Sequence, residues 1–97
     1  LIQKDIDKSS WFGFSLIIKP SSNLKRKDII NILQKNKIEC RPIVTGNFVR
    51  NEVMKYFDYE VHEELKNANH LHDNGFFVGN NHKCLSKNIN FLSQILS

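Results

Sequence analysis

The sequence predicts an α+β domain, a small antiparallel sheet covered by helices on one face. Three observations lead there. Short aromatic and β-branched runs occur at residues 11–19, 38–44 and 76–79. Helically spaced apolar residues fill the segment after the first run and the segment after the last. The resulting order is strand, helix, strand, short helix, helix, strand, helix, which suits one sheet backed by one helical layer. No internal repeat and no second domain is evident.

Each element has its own reason. Residues 11–19, WFGFSLIIK, read as a strand closed by Pro20 and placed centrally, with Gly13 admitting close packing or a bulge. Ser21, Ser22 and Asn23 offer N-caps for the next helix. In LKRKDIINILQKNK, Leu24, Ile29, Ile30 and Leu33 share a face and Lys and Arg take the other. Asn36 is the expected C-terminal cap, because Asn tolerates the left-handed conformation. Residues 38–44 form a second strand, which Pro42 confines in part to an edge or forces out of the ladder, and Thr45-Gly46-Asn47 is a turn. Residues 51–59 read as a short helix with an aromatic face. Residues 63–72 read as a longer one stopped by Asn74-Gly75. A short strand at 76–79 and a loop at 80–82 follow. Ser86 is expected to cap a last helix carrying Ile89, Leu92 and Leu96.

Composition narrows the function classes. With 40% hydrophobic and 25% charged residues, the chain reads as globular rather than disordered. The net charge is +4, but beyond Lys25-Arg26-Lys27 the basic residues alternate with acids. A nucleic-acid binder gathers its charge into a stripe, so no nucleic-acid partner is expected. A basic surface would suit an anionic small substrate such as a nucleotide-linked sugar. No apolar run approaches the ~20 residues that span a bilayer, and no signal peptide opens the chain, so no membrane partner is expected. The two cysteines form no CxxC pair and no disulfide framework, which points to a reducing cytoplasm. Leu1 in place of an initiating methionine suggests a chain cut from something longer.

Few residues suggest chemistry on spacing alone. His70 and His72 are two apart and would diverge on a helix, and no paired short-spaced ligands occur, so no metal is expected. Cys40 reads as a small, partly buried strand residue, although Arg41 beside it could lower its pKa. Glu63 and Glu64 diverge as helix neighbours. The informative stretch is RPIVTGNF. It sets the planar fork of Arg41, which matches two oxygens of a carboxylate or phosphate, before a stiff proline and a glycine turn. Gly46 would let backbone approach a ligand, and Asn47 offers both donor and acceptor. An ordinary surface ion pair beside an ordinary turn fits the same residues. The polar loop after residues 76–79 is a second candidate, and also a common place for a simple turn.

Together, SWFGFSLIIKP, IECRPIVTGNF, YFDY and NANHLHDNGFFVGNNH resemble the C-terminal part of the DegT/DnrJ/EryC1/StrS family. RPIVTGNF and GFFVGNNH are the most specific segments. They look closest to the branch acting on nucleotide-linked 4-keto-6-deoxyhexoses, 3-dehydratases as well as aminotransferases. The resemblance runs from about Ser10 through the last helix. It implies that residues 1–97 form the small C-terminal domain of a type I, aspartate aminotransferase-like enzyme. The missing N-terminal large domain would hold pyridoxal or pyridoxamine phosphate, whose ring serves as the electron sink. A nucleotide-linked sugar substrate, a homodimer and a place in deoxysugar or lipopolysaccharide biosynthesis are implied as well. The Schiff-base lysine, or the histidine that replaces it in the dehydratases, would lie upstream, so no catalytic residue is expected in this chain.

The resemblance carries over ligand-side residues. Arg41, Gly46, Asn47 and Phe48 match the family's RPxxxGNF element, and Asn80 and His82 match its GNxH element. Both groups are implied in substrate or cofactor contact, whereas Trp11 and Phe12 would support the sheet. Asn81 departs from the histidine frequent in the branch, and Lys37 from the glycine that commonly precedes the Ile. The competing expectation is a free-standing, non-catalytic ligand- or partner-binding module derived from the same domain. A detached domain should expose an apolar face that a larger body once covered.

Overall fold

The computed structural model describes residues 8, 10–80 and 83–97. Its elements are β1 (Gly13–Ile17), α1 (Arg26–Lys35), β2 (Cys40–Pro42), α2 (Lys66–Asn74), β3 (Gly75–Gly79) and α3 (Ser86–Leu96). Two 3-10 turns, Phe48–Arg50 and Glu52–Tyr56, stand between β2 and α2. The class is the expected one. The sheet has the order β1-β3-β2 and is antiparallel throughout.

The centre of the sheet differs from the expectation. β1 is an edge strand, and β3 lies in the middle with a ladder on each side. The reason is burial: Phe76 and Val78 of β3 are enclosed, while Phe14 and Ser15 of β1 are exposed. A short, uninterrupted apolar run marks the buried strand better than a long aromatic one. Pro42, which donates no hydrogen bond, ends β2 on the other edge, as its chemistry requires.

Register divides the residues between two faces. Phe14, Val78 and Cys40 lie abreast, and so do Leu16, Phe76 and Pro42. On this side Phe76 and Val78 join Ile29 and Leu33 of α1, Leu92 of α3, and Ile18. Leu16, Ile38, Cys40 and Ile95 pack around them. Enclosing Leu33 completely is worth about 2–3 kcal/mol. The opposite face carries Ser15, Phe77 and Arg41 abreast.

Helix ends depart from the sequence reading in instructive ways. The Ser22 hydroxyl accepts from the Leu24 amide at 3.2 Å and so closes a turn instead of capping a helix. α1 therefore starts at Arg26, and Leu24 stays outside it and exposed. At the other end Lys37, not Asn36, takes the left-handed conformation, with φ 59°. The Ile38 amide donates to the Leu33 carbonyl (2.9 Å) and the Lys37 amide to that of Gln34 (3.0 Å), the paired bonds of a Schellman ending. Asn36 keeps φ −92° and donates its side-chain amide to the Ile32 carbonyl. The helix expected over 51–59 is the 3-10 turn Glu52–Tyr56, capped by the Asn51 side chain accepting from the Val53 amide. α2 begins at Lys66 rather than at 63. Ser86 is the first residue of α3 and meets Cys84 instead of capping. In α3 the inward residues are Leu92 and Ile95, while Ile89 is exposed.

Candidate functional site

Arg41 lies on the open face of the sheet beside Phe77, because its neighbour Cys40 pairs with Val78 on the core face and side chains alternate along the strand. Its guanidinium pairs with Glu39 at 3.1 Å, and both side chains are largely solvated, at 70% and 81% exposure. Such a pair is weak enough to be exchanged for a ligand anion. A depression of about 160 Å³ is lined by Glu39, Cys40, Arg41, Phe77 and Gly79. The Phe77 ring that lines it packs against Gly13, where a Cβ would stand 2.6 Å from the ring. Phe12 covers the same ring, with centroids 5.9 Å apart.

Gly46 and Asn47 are built into the scaffold. Gly46 has φ +60°, and a Cβ on it would lie 2.6 Å from the His72 Cα, so the turn is pressed onto the α2 backbone. Asn47 is buried. Its Nδ2 donates to Asn69 Oδ1 at 2.8 Å, and its Oδ1 accepts from the Val49 amide at 3.1 Å. Phe48 follows on the exposed side. Asn80 donates its side-chain amide to the Trp11 carbonyl at 2.7 Å, tying the end of β3 to the entry of β1. His82 and Asn81 lie outside the described residues.

The candidates do not gather into one pocket. The Gly46 turn follows the Pro42 end of β2, where the Ile43 amide donates to the Gly75 carbonyl at the start of β3. Asn80 sits past the other end of β3, ~16 Å away along the strand. Arg41 stands between them.

Three residues in this region were not read from the sequence as part of it, His72 having been weighed only as a metal ligand. Arg26, read as part of a solvated basic cluster, donates to the carbonyls of His72 (2.6 Å) and Gly75 (3.1 Å), closing the end of α2. Asn69 and His72 receive the Thr45–Asn47 turn. Their i, i+3 spacing, which sets them on one helix face, was the available signal.

The thiols differ. Burial, reinforced by the neighbouring Glu39 carboxylate, pushes Cys40 upward, which fits the expected small, partly buried strand residue rather than a thiol lowered by Arg41. The side chains of adjacent strand residues point to opposite faces, so Cys40 faces the core and the guanidinium does not. Cys84 is exposed and is lowered by its hydrogen bond with the Ser86 hydroxyl. Among the described residues, no group of three or more His, Cys, Asp or Glu side chains could hold a metal ion, and no helix is long and apolar enough to cross a membrane.

No protein-family model matches the chain. Individual proteins do. The chain is 50% identical over 96 residues to a GDP-4-keto-6-deoxy-D-mannose 3-dehydratase of Escherichia coli O55:H7, across 98% of its own length and 25% of the relative's. The Yersinia pseudotuberculosis protein of that name is 48% identical over the same share of the chain and 24% of its own length. The chain is homologous to a quarter of such a dehydratase. The resemblance carried by RPIVTGNF and GFFVGNNH is thus borne out, on the dehydratase side of the family.

A Salmonella typhimurium lipopolysaccharide biosynthesis protein, RfbH, is 31% identical over 70 residues, covering 72% of this chain and 16% of that protein. Among solved structures, the E. coli dehydratase with bound hydrated pyridoxal phosphate superposes with a TM-score of 0.87 at 52% identity, over 92% of this chain and 23% of that one. A variant of a GDP-4-keto-6-deoxymannose 3-dehydratase with bound GDP-perosamine matches equally well over the same shares. The described residues do not amount to a cofactor site by themselves. Arg26 is committed to carbonyls and Arg50 to Asp73, and Arg41 lies on an open surface.

Proposed function

We propose that this chain is the C-terminal small domain of a pyridoxal- or pyridoxamine-phosphate-dependent GDP-4-keto-6-deoxy-D-mannose 3-dehydratase. The parent enzyme acts as a cytoplasmic homodimer in deoxysugar and lipopolysaccharide biosynthesis. The observation that carries this reading is the 50% identity over 96 residues to dehydratases of that name. The chain's exposed apolar side chains support the small-domain role. Its exposed residues include Phe12, Phe48, Tyr56, Phe57 and Tyr59, an apolar surface of the kind a larger body covers.

No step of the chemistry is assigned to this chain. Its residues bind and orient. Arg41 exchanges Glu39 for an anionic group of the substrate or amino donor, Phe48 presents an apolar surface beside the turn, and Asn80 contacts ligand from the other end of the sheet, a role the family resemblance extends to His82. The test is turnover by the complete polypeptide with the cofactor, an amino donor and GDP-4-keto-6-deoxy-D-mannose, followed by mass spectrometry. Loss of the C3 hydroxyl is the expected result. An amino sugar as the sole product, or no turnover by a chain carrying an intact large domain, would overturn it.

A further inference from the structure

His72 stands where the turn of the RPIVTGNF segment meets α2. Its Nδ1 lies 3.2 Å from the Asn47 amide nitrogen and 3.0 Å from the Thr45 carbonyl oxygen. One ring nitrogen cannot accept and donate at once. The Nε2–H tautomer accepts from the Asn47 amide, and a ring carrying Nδ1–H donates to Thr45. In either state one nitrogen grips one side of the Thr45-Gly46-Asn47 turn. Gly46 admits this approach because a Cβ there would collide with His72 Cα and Cβ. Asn69, on the same helix face, takes the Asn47 side chain, and Arg26 fastens the His72 carbonyl from α1.

We infer that His72 is a positioning residue. Through Nδ1 it fixes the turn, and with the turn the course of the chain from Arg41 to Phe48. It acts through Asn47 and Thr45, with no contact to ligand. Its bearing on catalysis rests on the proposed function; the docking of the turn does not.

Substitution can single out the nitrogen. Asn at position 72 returns a polar atom near Nδ1, Gln places its polar atoms farther out, near Nε2, and Leu supplies bulk alone. The experiment uses the complete polypeptide and follows hydrogen exchange of the Asn47 and Val49 amides together with KM and kcat for the nucleotide sugar. His72→Leu and His72→Gln are expected to speed exchange in the turn about tenfold and to raise KM by a similar factor with a smaller change in kcat. His72→Asn is expected to restore both to within about threefold. Equal exchange in the Asn, Gln and Leu variants would overturn the inference, as would an exchange hierarchy that leaves KM unmoved in an active enzyme. A wild-type polypeptide that keeps the hierarchy but fails to turn over the sugar refutes the proposed function and supports the docking role of His72.

Discussion

Replacing Gly46 by alanine should loosen the turn from α2, and its cost can be set against a matched substitution elsewhere. With φ at +60°, any side chain at this position costs about 1–2 kcal/mol. The added Cβ would also stand 2.6 Å from His72 Cα and 2.8 Å from its Cβ, atoms fixed to the helix. Relief requires the turn to back away, which stretches the bonds from Asn47 to His72 and Asn69, worth about 1 kcal/mol each. The sum is about 3–4 kcal/mol. At Gly79 a Cβ meets nothing within 4 Å, so the same change is expected to be neutral or to stabilise by up to about 1 kcal/mol. Urea unfolding followed through Trp11, the single tryptophan, reads both. With a slope of about 1–3 kcal/mol per molar, the two midpoints should separate by about 1–5 M. Midpoints within about 0.3 M of each other would refute the reasoning, since the variants differ only in backbone conformation and available space.

Four further outcomes are expected. Lys37→Gly should stabilise the chain by about 0.5–1 kcal/mol, because it removes a left-handed side chain at the price of some unfolded-state entropy, and the urea midpoint reads the sign. Arg26→Gln should lower stability by about 1–3 kcal/mol through the α2 carbonyls it leaves, while Lys25→Gln and Lys27→Gln stay within about 0.5 kcal/mol; thermal unfolding of the three separates a structural guanidinium from a solvated cluster. Cys84, exposed and lowered, should be alkylated by iodoacetamide at pH 8 at least about tenfold faster than Cys40, which burial raises, and peptide mapping gives the ratio. Arg41→Lys should leave stability within about 0.5 kcal/mol yet weaken binding of GDP-4-keto-6-deoxy-D-mannose by the complete polypeptide, because Lys lacks the planar fork; unchanged affinity would remove Arg41 from the ligand side.

The elements of the fold were legible because hydrophobic spacing reports burial directly. Ile29 and Leu33, read as one face of a helix, are indeed enclosed, and Pro42 announced an edge strand. What misled was chemistry that competes locally. Ser22 spent its hydroxyl on a turn two residues on, and Ser86 met Cys84, so neither capped a helix. The left-handed residue was misplaced by one position, since helix hydrogen bonding, which spacing does not show, decides which residue unwinds. For the candidate site, RPIVTGNF could be singled out as a unit, but the structural roles within it were not readable. Gly46 looks the same whether it faces a ligand or a helix. Only the contact with His72, 26 positions later, tells the two apart.

Register joins the core to the ligand side. Side chains alternate along a strand, so pairing Cys40 with Val78 sends both into the core and leaves Arg41 with Phe77 on the open face. A slip of one residue would bury the guanidinium among Leu33, Phe76 and Leu92 and expose Cys40. The Ile43 amide bonded to Gly75, and Gly75 itself, oppose that slip. A Cβ at Gly75 would stand 2.6 Å from the Leu71 carbonyl oxygen and 2.7 Å from Ile43 Cγ1, so α2, β2 and β3 meet there without slack. Burying an unpaired guanidinium is far less favourable than the solvated pair Arg41 makes with Glu39. The register that encloses the core therefore also holds Arg41 outward, and a change at Gly75 should disturb both faces together.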